Sequence, residues 1–192
     1  MEAGQAAVVP VALAGGGSPG VTAAPGADPD GAVRFWLRSP ASGDLPRITA
    51  MWERCSLATR MARFHAPVRD IPASYLETVL SDPSASLVAV SGRAGAVAAL
   101  ASLVSGGGGS AELGVLVEDA WQRHGIGRNL VAHLIAAAPA RQITELTASV
   151  LTRNGAVADL LRRVPGEFCL TRDGATVNVR VRLASAGRSA TL

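Results

Sequence analysis

The sequence contains no lysine, and all 18 of its basic residues are arginines. Walker-type phosphate loops need a Gly-Lys-Ser/Thr step, and pyridoxal phosphate or Schiff-base catalysis needs a lysine amine. Both classes of mechanism are therefore excluded. Aromatic residues are also scarce, at 4% of the chain, although 48% of the residues are hydrophobic. The core of a globular domain must then be built mainly from alanine, valine and leucine.

The chain has only two cysteines, Cys55 and Cys169, and neither has a histidine or cysteine at metal-ligand spacing. This argues against a disulfide framework and against a metal site, and it favours a reducing, cytoplasmic compartment. No apolar run approaches the roughly 20 residues that cross a bilayer, so we expect no membrane partner. The net charge of +3 suits an anionic ligand but is too small and scattered for nucleic-acid binding.

Composition divides the chain into three parts. Residues 1–31 are mostly Gly, Ala and Pro with few anchoring side chains, which predicts a disordered tail. Residues 32–185 are long enough to bury a core and are expected to form one domain. Residues 186–192 are expected to form a flexible C-terminal tail.

Hydrophobic periodicity within the domain predicts alternating groups of strands and helices. Strands are predicted at 33–38, 87–90, 96–104, 111–117, 146–151, 168–170 and 177–183. Helices are predicted at 46–63, at 72–80, after Gly127 and after Asn154. This order predicts an α/β (α+β) fold, with a mixed sheet of about seven strands flanked by four helices.

A glycine-containing segment lies between the predicted strand 111–117 and the helix that follows it. It reads Gln122-Arg123-His124-Gly125-Ile126-Gly127. Consecutive N–H groups at a helix N-terminus form a donor site for an anion, and glycines let the main chain approach phosphate oxygens. A dinucleotide fold is disfavoured, because its Gly-x-Gly-x-x-Gly pattern would need glycine where Leu130 stands. An ordinary strand-to-helix turn is the alternative.

Gln122, Gly125 and Gly127 match the signature Gln/Arg-x-x-Gly-x-Gly/Ala of the GNAT superfamily of N-acetyltransferases, and they lie between a predicted strand and helix as in that family. Together with the order of the predicted elements, this means that residues 33–184 resemble the GNAT superfamily. The resemblance implies a mostly antiparallel sheet, acetyl-CoA as acyl donor and no metal. It also implies that the main chain at Val115, Leu116 and Val117 pairs with the pantetheine arm. The pyrophosphate would be held by Gln122, Arg123, His124, Gly125, Ile126, Gly127 and Arg128. Asn154 would contact the cofactor as well as cap its helix, with the cap alone as the alternative.

The resemblance is less specific about the general base. In the branch that acetylates protein N-termini, a glutamate is the base and a tyrosine is the acid. The corresponding positions here are Ser149 and Leu161, which cannot act as base or acid. The bacterial protein-lysine acetyltransferase branch instead keeps a glutamate in an Ala-Glu pair, which matches Ala111-Glu112. Glu112 is therefore the candidate base; the alternative is a carboxylate that faces solvent or pairs with an arginine.

The segment Arg60–Pro67 also resembles a Ser-Arg-x-x-Arg-Phe segment of the lysine-acetylating branch. Arg60 and Arg63 would then either orient an acidic substrate surface or form a solvated helix face. Tyr75, the only tyrosine, would be a proton donor, a substrate contact or a packed side chain.

The resemblance thus implies an acetyl-CoA-dependent N-acetyltransferase whose partner is an amine acceptor and not nucleic acid. A protein lysine is favoured slightly over a small amine such as an antibiotic or polyamine. A non-catalytic acyl-CoA-binding module is the alternative of a different class. A homodimer is compatible with the sequence.

Overall fold

The computed structural model describes residues 9–12, 34–91, 95–152 and 155–184 of the chain. The strands in these ranges are β1 (Val9–Ala12), β2 (Arg34–Arg38), β3 (Ser86–Ser91), β4 (Ala96–Gly107), β5 (Ser110–Val117), β6 (Glu145–Leu151), β7 (Gly166–Asp173) and β8 (Thr176–Leu183). The helices are α1 (Leu45–Arg54), α2 (Leu57–Phe64), α3 (Ala73–Ser81), α4 (Ile126–Ala137) and α5 (Gly155–Leu161). Within the described ranges, no helix has the length and apolar character needed to cross a membrane.

The strands form one sheet in the order β1-β2-β3-β4-β5-β6-β8-β7. All neighbours are antiparallel except β5 and β6, which are parallel and are joined through α4. A parallel pair needs such a crossover, because the chain must return to the same end of the sheet. The predicted mixed, mostly antiparallel α/β fold is confirmed, and each of the seven predicted strands is present.

β1 is an additional strand, within the segment predicted to be a disordered tail. It pairs antiparallel with β2, with Val9 opposite Leu37 and Ala12 opposite Arg34. The prediction of disorder over 1–31 is therefore wrong for Val9–Ala12. Valines favour extended structure, and Pro10 is tolerated in a strand at the edge of a sheet. The rest of that tail and residues 186–192 lie outside the described residues.

The predicted helix 46–63 is interrupted, which raises the number of helices from four to five. Cys55 is extended, with φ −71° and ψ 135°, and Ser56 caps the next helix by accepting the N–H of Thr59 at 3.2 Å. Asp119 holds this cap from 63 residues away, because its carboxylate accepts both the N–H and the hydroxyl of Ser56 at 2.7 Å. The apolar period continues through the break, so periodicity alone did not reveal it.

The core has two parts, one on each face of the sheet. α4 and α5 cover one face, where Leu130, Leu134, Leu146 and Leu161 are almost completely buried. α1 and α3 cover the other face, with a cluster that includes Ile48, Met51, Trp52, Val79 and Leu116. α2 lies on this second face, where Phe64 packs against the cluster. Burial of each such large apolar side chain contributes roughly 1.5–3 kcal/mol.

Candidate functional site

β5 and β6 are paired at one end and diverge at the other, which leaves an opening in the middle of the sheet. The two strands pair only from Ser110 opposite Glu145 to Glu112 opposite Thr147. Beyond this point β5 continues to Val117 and β6 to Leu151 without further pairing between them. One edge of β5 is therefore left without a neighbouring strand, and its main-chain polar groups need other partners.

The register of β5 on β4 determines which main-chain groups face this opening. Glu118 donates its N–H to Ala98 O at 3.0 Å, towards β4. Successive residues of a strand direct their N–H and C=O to opposite edges, so those of Leu116 also face β4. The N–H and C=O groups of Val115 and Val117 face the opening, where Val117 O already accepts a hydrogen bond from Gln122 Nε2 at 3.0 Å. An extended ligand in the opening can thus form strand-like hydrogen bonds with both groups of Val115 and with the N–H of Val117.

The loop before α4 lies at the end of this opening and exposes a row of main-chain donors. Arg123 and Gly125 both adopt the left-handed conformation, with φ 64° and φ 79°, just before the helix begins at Ile126. The first main-chain bond of the helix runs from Asn129 N to Gly125 O at 3.0 Å. In the described structure, no N–H from Arg123 to Arg128 donates to a protein acceptor. Such a concave row of donors at a helix N-terminus binds anions.

The side chains of this loop divide between the surface and the interior. Arg123, His124 and Arg128 are exposed, whereas Ile126 is 2% exposed and packs in the core beneath α4. The exposed residues add positive charge, or further donors, around the row of N–H groups. The buried isoleucine fixes the start of the helix to the sheet.

The two glycines of the loop have different structural roles. Position 125 favours glycine because its φ is 79°, and a positive φ strains a residue that has a Cβ. Gly127 has no such constraint: a Cβ there would meet Val117 Cγ2 at 3.6 Å and Val115 Cγ1 at 3.8 Å, which are ordinary contacts. Gly127 therefore allows α4 to lie close against β5, and an alanine also fits.

Gln122, assigned from the sequence to the pyrophosphate loop, directs its side chain inwards. Its Nε2 donates to Val117 O at 3.0 Å and to Thr59 Oγ1 at 2.9 Å. The side chain thus ties the loop to the end of β5 and to the first turn of α2. Nothing in the local sequence indicates the contact with Thr59, which is 63 residues away.

Asp119 completes this connection between α2 and the loop. Its carboxylate accepts the Ser56 N–H and hydroxyl at 2.7 Å and the Thr59 hydroxyl at 2.9 Å. Burial alone would raise the pKa of Asp119, but these hydrogen bonds outweigh it and the pKa is lowered. The carboxylate is consequently ionised at neutral pH, when it holds the N-terminus of α2 most strongly.

A cleft of about 240 Å³ lies where β5 and β6 separate, and both α2 and α5 contribute to its lining. Its lining includes Glu112 from β5, Ser149 from β6 and Val157 from α5. The side chain of Glu112 is exposed and has no hydrogen bond or ion pair with any described residue. A carboxylate in this position is free to accept a proton from a group that enters the cleft.

The end of α2 contributes cleft residues to which the sequence had assigned less definite roles. Arg63 and His65 line the cleft, and the guanidinium of Arg63 occupies the space that a side chain at Gly114 would fill. Arg60 instead binds the carbonyls of Glu53, Cys55 and Arg69, so it stabilises the chain around α2. The sequence shows that a glycine stands at position 114 in β5. It does not show that the Arg63 side chain fills the space which this glycine leaves.

The other predicted site residues lie elsewhere. Tyr75 is 8% exposed, and its hydroxyl lies 3.4 Å from Ser102 Oγ in the core. Leu161 is fully buried. Asn154 lies outside the described residues. Within the described part of the chain, no three His, Cys, Asp or Glu side chains come together in a metal-binding arrangement.

Comparison with known proteins agrees with this architecture. The family model "Acetyltransferase (GNAT) family" matches residues 47–164, more than half of the chain. No protein of curated function matches the sequence. The fold is similar to the GNAT domain of S. lividans PAT, with a TM-score of 0.67 and 23% identity over 80% of this chain and 93% of that chain.

Two further solved structures share the fold. A cAMP-binding acyltransferase from Mycobacterium smegmatis has a TM-score of 0.58 and 25% identity, over 93% of this chain and 48% of that chain. This chain thus spans about half the length of that protein. The yncA protein from Salmonella typhimurium, solved with its cofactor acetyl-CoA, has a TM-score of 0.57 and 18% identity over 82% of this chain and 99% of that chain. The chain therefore belongs to the acetyltransferase (GNAT) family.

Proposed function

We propose that this protein is an acetyl-CoA-dependent N-acetyltransferase that transfers an acetyl group directly to an amine. The observation that carries the proposal is the opening between β5 and β6, which ends at the unbonded N–H groups of Arg123–Arg128. A pyrophosphate fits that row of donors, and the amide-bearing pantetheine arm fits the remaining free groups of this edge, which are the N–H and C=O of Val115 and the N–H of Val117. The thioester would then lie in the cleft beside Glu112.

The reaction needs only positioning and proton transfer. The acceptor nitrogen attacks the thioester carbonyl carbon, so that a C–N bond forms and the C–S bond breaks. Coenzyme A leaves as a thiolate, which then takes up a proton. Because a thiol has a pKa near 8.5, this leaving group does not depend on a strong general acid. The buried hydroxyl of Tyr75 is thus not needed in this role.

Glu112 is the proposed general base. An alkyl amine has a pKa near 10.4 and is almost fully protonated at neutral pH, so its proton must be lost as the C–N bond forms, and a carboxylate can accept that proton directly or through a water. Glu112 lines the cleft and has no competing partner among the described residues. Main-chain N–H groups at Val115 or Val117 would stabilise the oxyanion that develops on the thioester.

The acceptor class remains part of the proposal. The Ala111-Glu112 pair and the Arg60–Pro67 segment favour a protein lysine, whereas the modest volume of the cleft suits a small amine. The contrasting candidate, an acyl-CoA-binding module without turnover, is favoured by Ser149 and Leu161, which replace residues that are catalytic in one branch of the family. It predicts tight binding of coenzyme A and no product from any amine.

The test is detection of free thiol and acetylated product from acetyl-CoA with a protein extract and, separately, a panel of small amines. Glu112→Gln should lower kcat by ~10²- to 10⁴-fold while the affinity for coenzyme A, measured by calorimetry, stays the same. Glu167→Gln is the matched control, because Glu167 is an exposed glutamate on β7 whose one side-chain partner among the described residues is Arg182. Full activity in Glu112→Gln would refute the assigned base, and no binding of coenzyme A would refute the function.

A further inference from the structure

Arg63 is partly buried, like Arg38, Arg60 and Arg141, but of these four arginines it alone forms no hydrogen bond with a described residue. Its guanidinium carbon lies 4.9 Å from the centre of the Phe64 ring and 4.7 Å from that of Tyr75. The same group fills the space above Gly114, on the face of β5 that lines the cleft. Two aromatic rings and a strand thus fix the position of the cation beside the cleft.

Within the described ranges, the charge of Arg63 has no anionic partner. Arg38 and Arg141 are ion-paired with Asp44 and Asp82, and Arg60 donates to three main-chain carbonyls instead. Among the described residues, no acidic group or carbonyl accepts a hydrogen bond from Arg63, and its Nε is buried without a partner. Partial burial of an unpaired cation is unfavourable unless a partner binds it.

A second buried nitrogen without a hydrogen-bond partner belongs to another residue that lines the same cleft. His65 follows α2 in a left-handed conformation, φ 56°, and its Nε2 is also buried without a hydrogen-bond partner. Of the three buried side-chain atoms that lack a partner in the described residues, two thus belong to residues lining the cleft, and the third is Arg141 Nε. The cleft therefore combines a cation with a second unsatisfied nitrogen on one wall.

The position of Arg63 relative to Glu112 indicates what binds there. Gly114 and Glu112 are two residues apart on β5 and direct their side-chain positions to the same face. At 3.2–3.4 Å per residue, they are separated by about 7 Å along the strand. We infer that Arg63, assisted by His65, binds a carboxylate or similar anionic group of the acceptor close to the amine that Glu112 deprotonates. This inference rests on the proposed function and specifies the acceptor.

The spacing limits the chemistry of the acceptor. This separation joins backbone positions, and the exposed Glu112 side chain can extend its carboxylate towards the Arg63 guanidinium, which fills the Cβ position of Gly114. The amine and the anionic group of the acceptor must therefore lie close together, either within one small molecule or in a folded peptide. A free amino acid supplies both groups itself, and a protein lysine needs an acidic neighbour to supply the second.

The kinetic test compares primary-amine acceptors with and without the acid, each rate being corrected for the fraction of unprotonated amine: glycine with glycinamide, β-alanine with its amide, and lysine peptides with Asp or Asn next to the lysine. A charge-assisted bond gives a preference of roughly 10- to 100-fold in kcat/KM for the acidic member. Arg63→Met should abolish this preference mainly by raising KM, and Arg63→Lys should retain part of it. The free amino acids and the peptides separate the two sources of the anion.

Arg180→Met is the control, because Arg180 is an exposed cation on β8 that pairs with Glu145. It should keep the full preference. Thermal unfolding establishes that each variant is folded, and calorimetry should give an unchanged affinity for coenzyme A in Arg63→Met. A preference that persists in Arg63→Met, or one that disappears equally in Arg180→Met, overturns the inference. Weakened coenzyme A binding in Arg63→Met overturns it too, since it assigns Arg63 to the acyl donor.

A binding measurement separates this inference from the proposed function. The protein saturated with coenzyme A is titrated with N-acetylglycine and with its amide, which are not turned over, and binding is followed by NMR. The acid should bind to the wild type and not to Arg63→Met, whatever the outcome of the activity assays. Equal binding of acid and amide to the wild type refutes the role of Arg63 even if acetyl transfer is demonstrated.

Discussion

Gln122 Nε2 donates to Thr59 Oγ1 at 2.9 Å, and this bond joins the loop before α4 to the first turn of α2. The same nitrogen donates to Val117 O at the end of β5. The wall that bears Arg63 and the loop that exposes the row of N–H groups are therefore connected through one amide.

Gln122→Ala removes both hydrogen bonds and leaves Val117 O without its partner. We expect the free energy of unfolding to fall by roughly 1–3 kcal/mol, and the affinity for coenzyme A to fall because the loop loses its anchor. Chemical denaturation and calorimetry measure the two effects. Gln142→Ala is the control, since Gln142 is exposed and its side chain bonds to no described residue. Equal effects in the two variants would contradict the assigned role of Gln122.

The different roles of the two loop glycines lead to a paired prediction. Gly125→Ala forces a Cβ into a left-handed conformation at a cost of roughly 1–2 kcal/mol, which should weaken coenzyme A binding by about tenfold. Gly127→Ala makes only ordinary contacts with Val115 and Val117 and should bind almost as well as the wild type. Calorimetry on both variants checks this, and a reversed order would show that the loop geometry is misassigned.

The two cysteines should differ sharply in reactivity. Cys55 is 4% exposed, and burial, assisted by the nearby charges of Asp119 and Glu118, raises the pKa of its thiol to about 12. Cys169 is exposed on β7. Because the thiolate is the reacting form, iodoacetamide at pH 8 should label the native protein only at Cys169 and the unfolded protein at both cysteines.

Peptide mass spectrometry locates the label. Cys169→Ser should give a native protein that is not labelled and an unfolded protein that is labelled once. Labelling of native Cys55 at a rate comparable to that of Cys169 would contradict the burial on which this prediction rests.

Stability at acidic pH should depend on Asp44, whose side chain is 3% exposed. Hydrogen bonds from Arg38 at 2.5 and 2.7 Å lower the pKa of this carboxyl below its ordinary value of 3.8. Because the folded-state pKa is the lower one, the stabilisation is complete above about pH 4 and is lost as pH falls through the folded-state pKa. Urea unfolding between pH 7 and pH 2 should show this loss.

Asp44→Asn should remove that part of the pH dependence and lower the free energy of unfolding at pH 7 by roughly 1.5–3 kcal/mol. The control is Asp159→Asn, since the Asp159–Arg162 pair is exposed and should contribute less than about 1 kcal/mol. An unchanged acid transition in Asp44→Asn would show that other carboxyls determine it.

The sequence by itself determined the features that depend on neighbouring residues. The alternation of Val177, Val179 and Val181 predicted β8, because side chains alternate across a strand. Glycine in a segment between strand and helix predicted the turn before α4, because a positive φ favours glycine. The order of these elements and the Gln-x-x-Gly-x-Gly spacing were sufficient to predict the family, which the family model confirms.

The tertiary structure alone decided the features that join distant parts of the chain. Asp119 interrupts the predicted helix 46–63 by capping Ser56, and the inward turn of Gln122 depends on Thr59. The separation of β5 from β6 and the contact of Arg63 with Gly114 likewise depend on how the sheet and α2 pack. Periodicity and local backbone preference carry no information about contacts between distant parts of the chain, so the sequence could indicate the loop before α4 but not the wall of the cleft that bears Arg63.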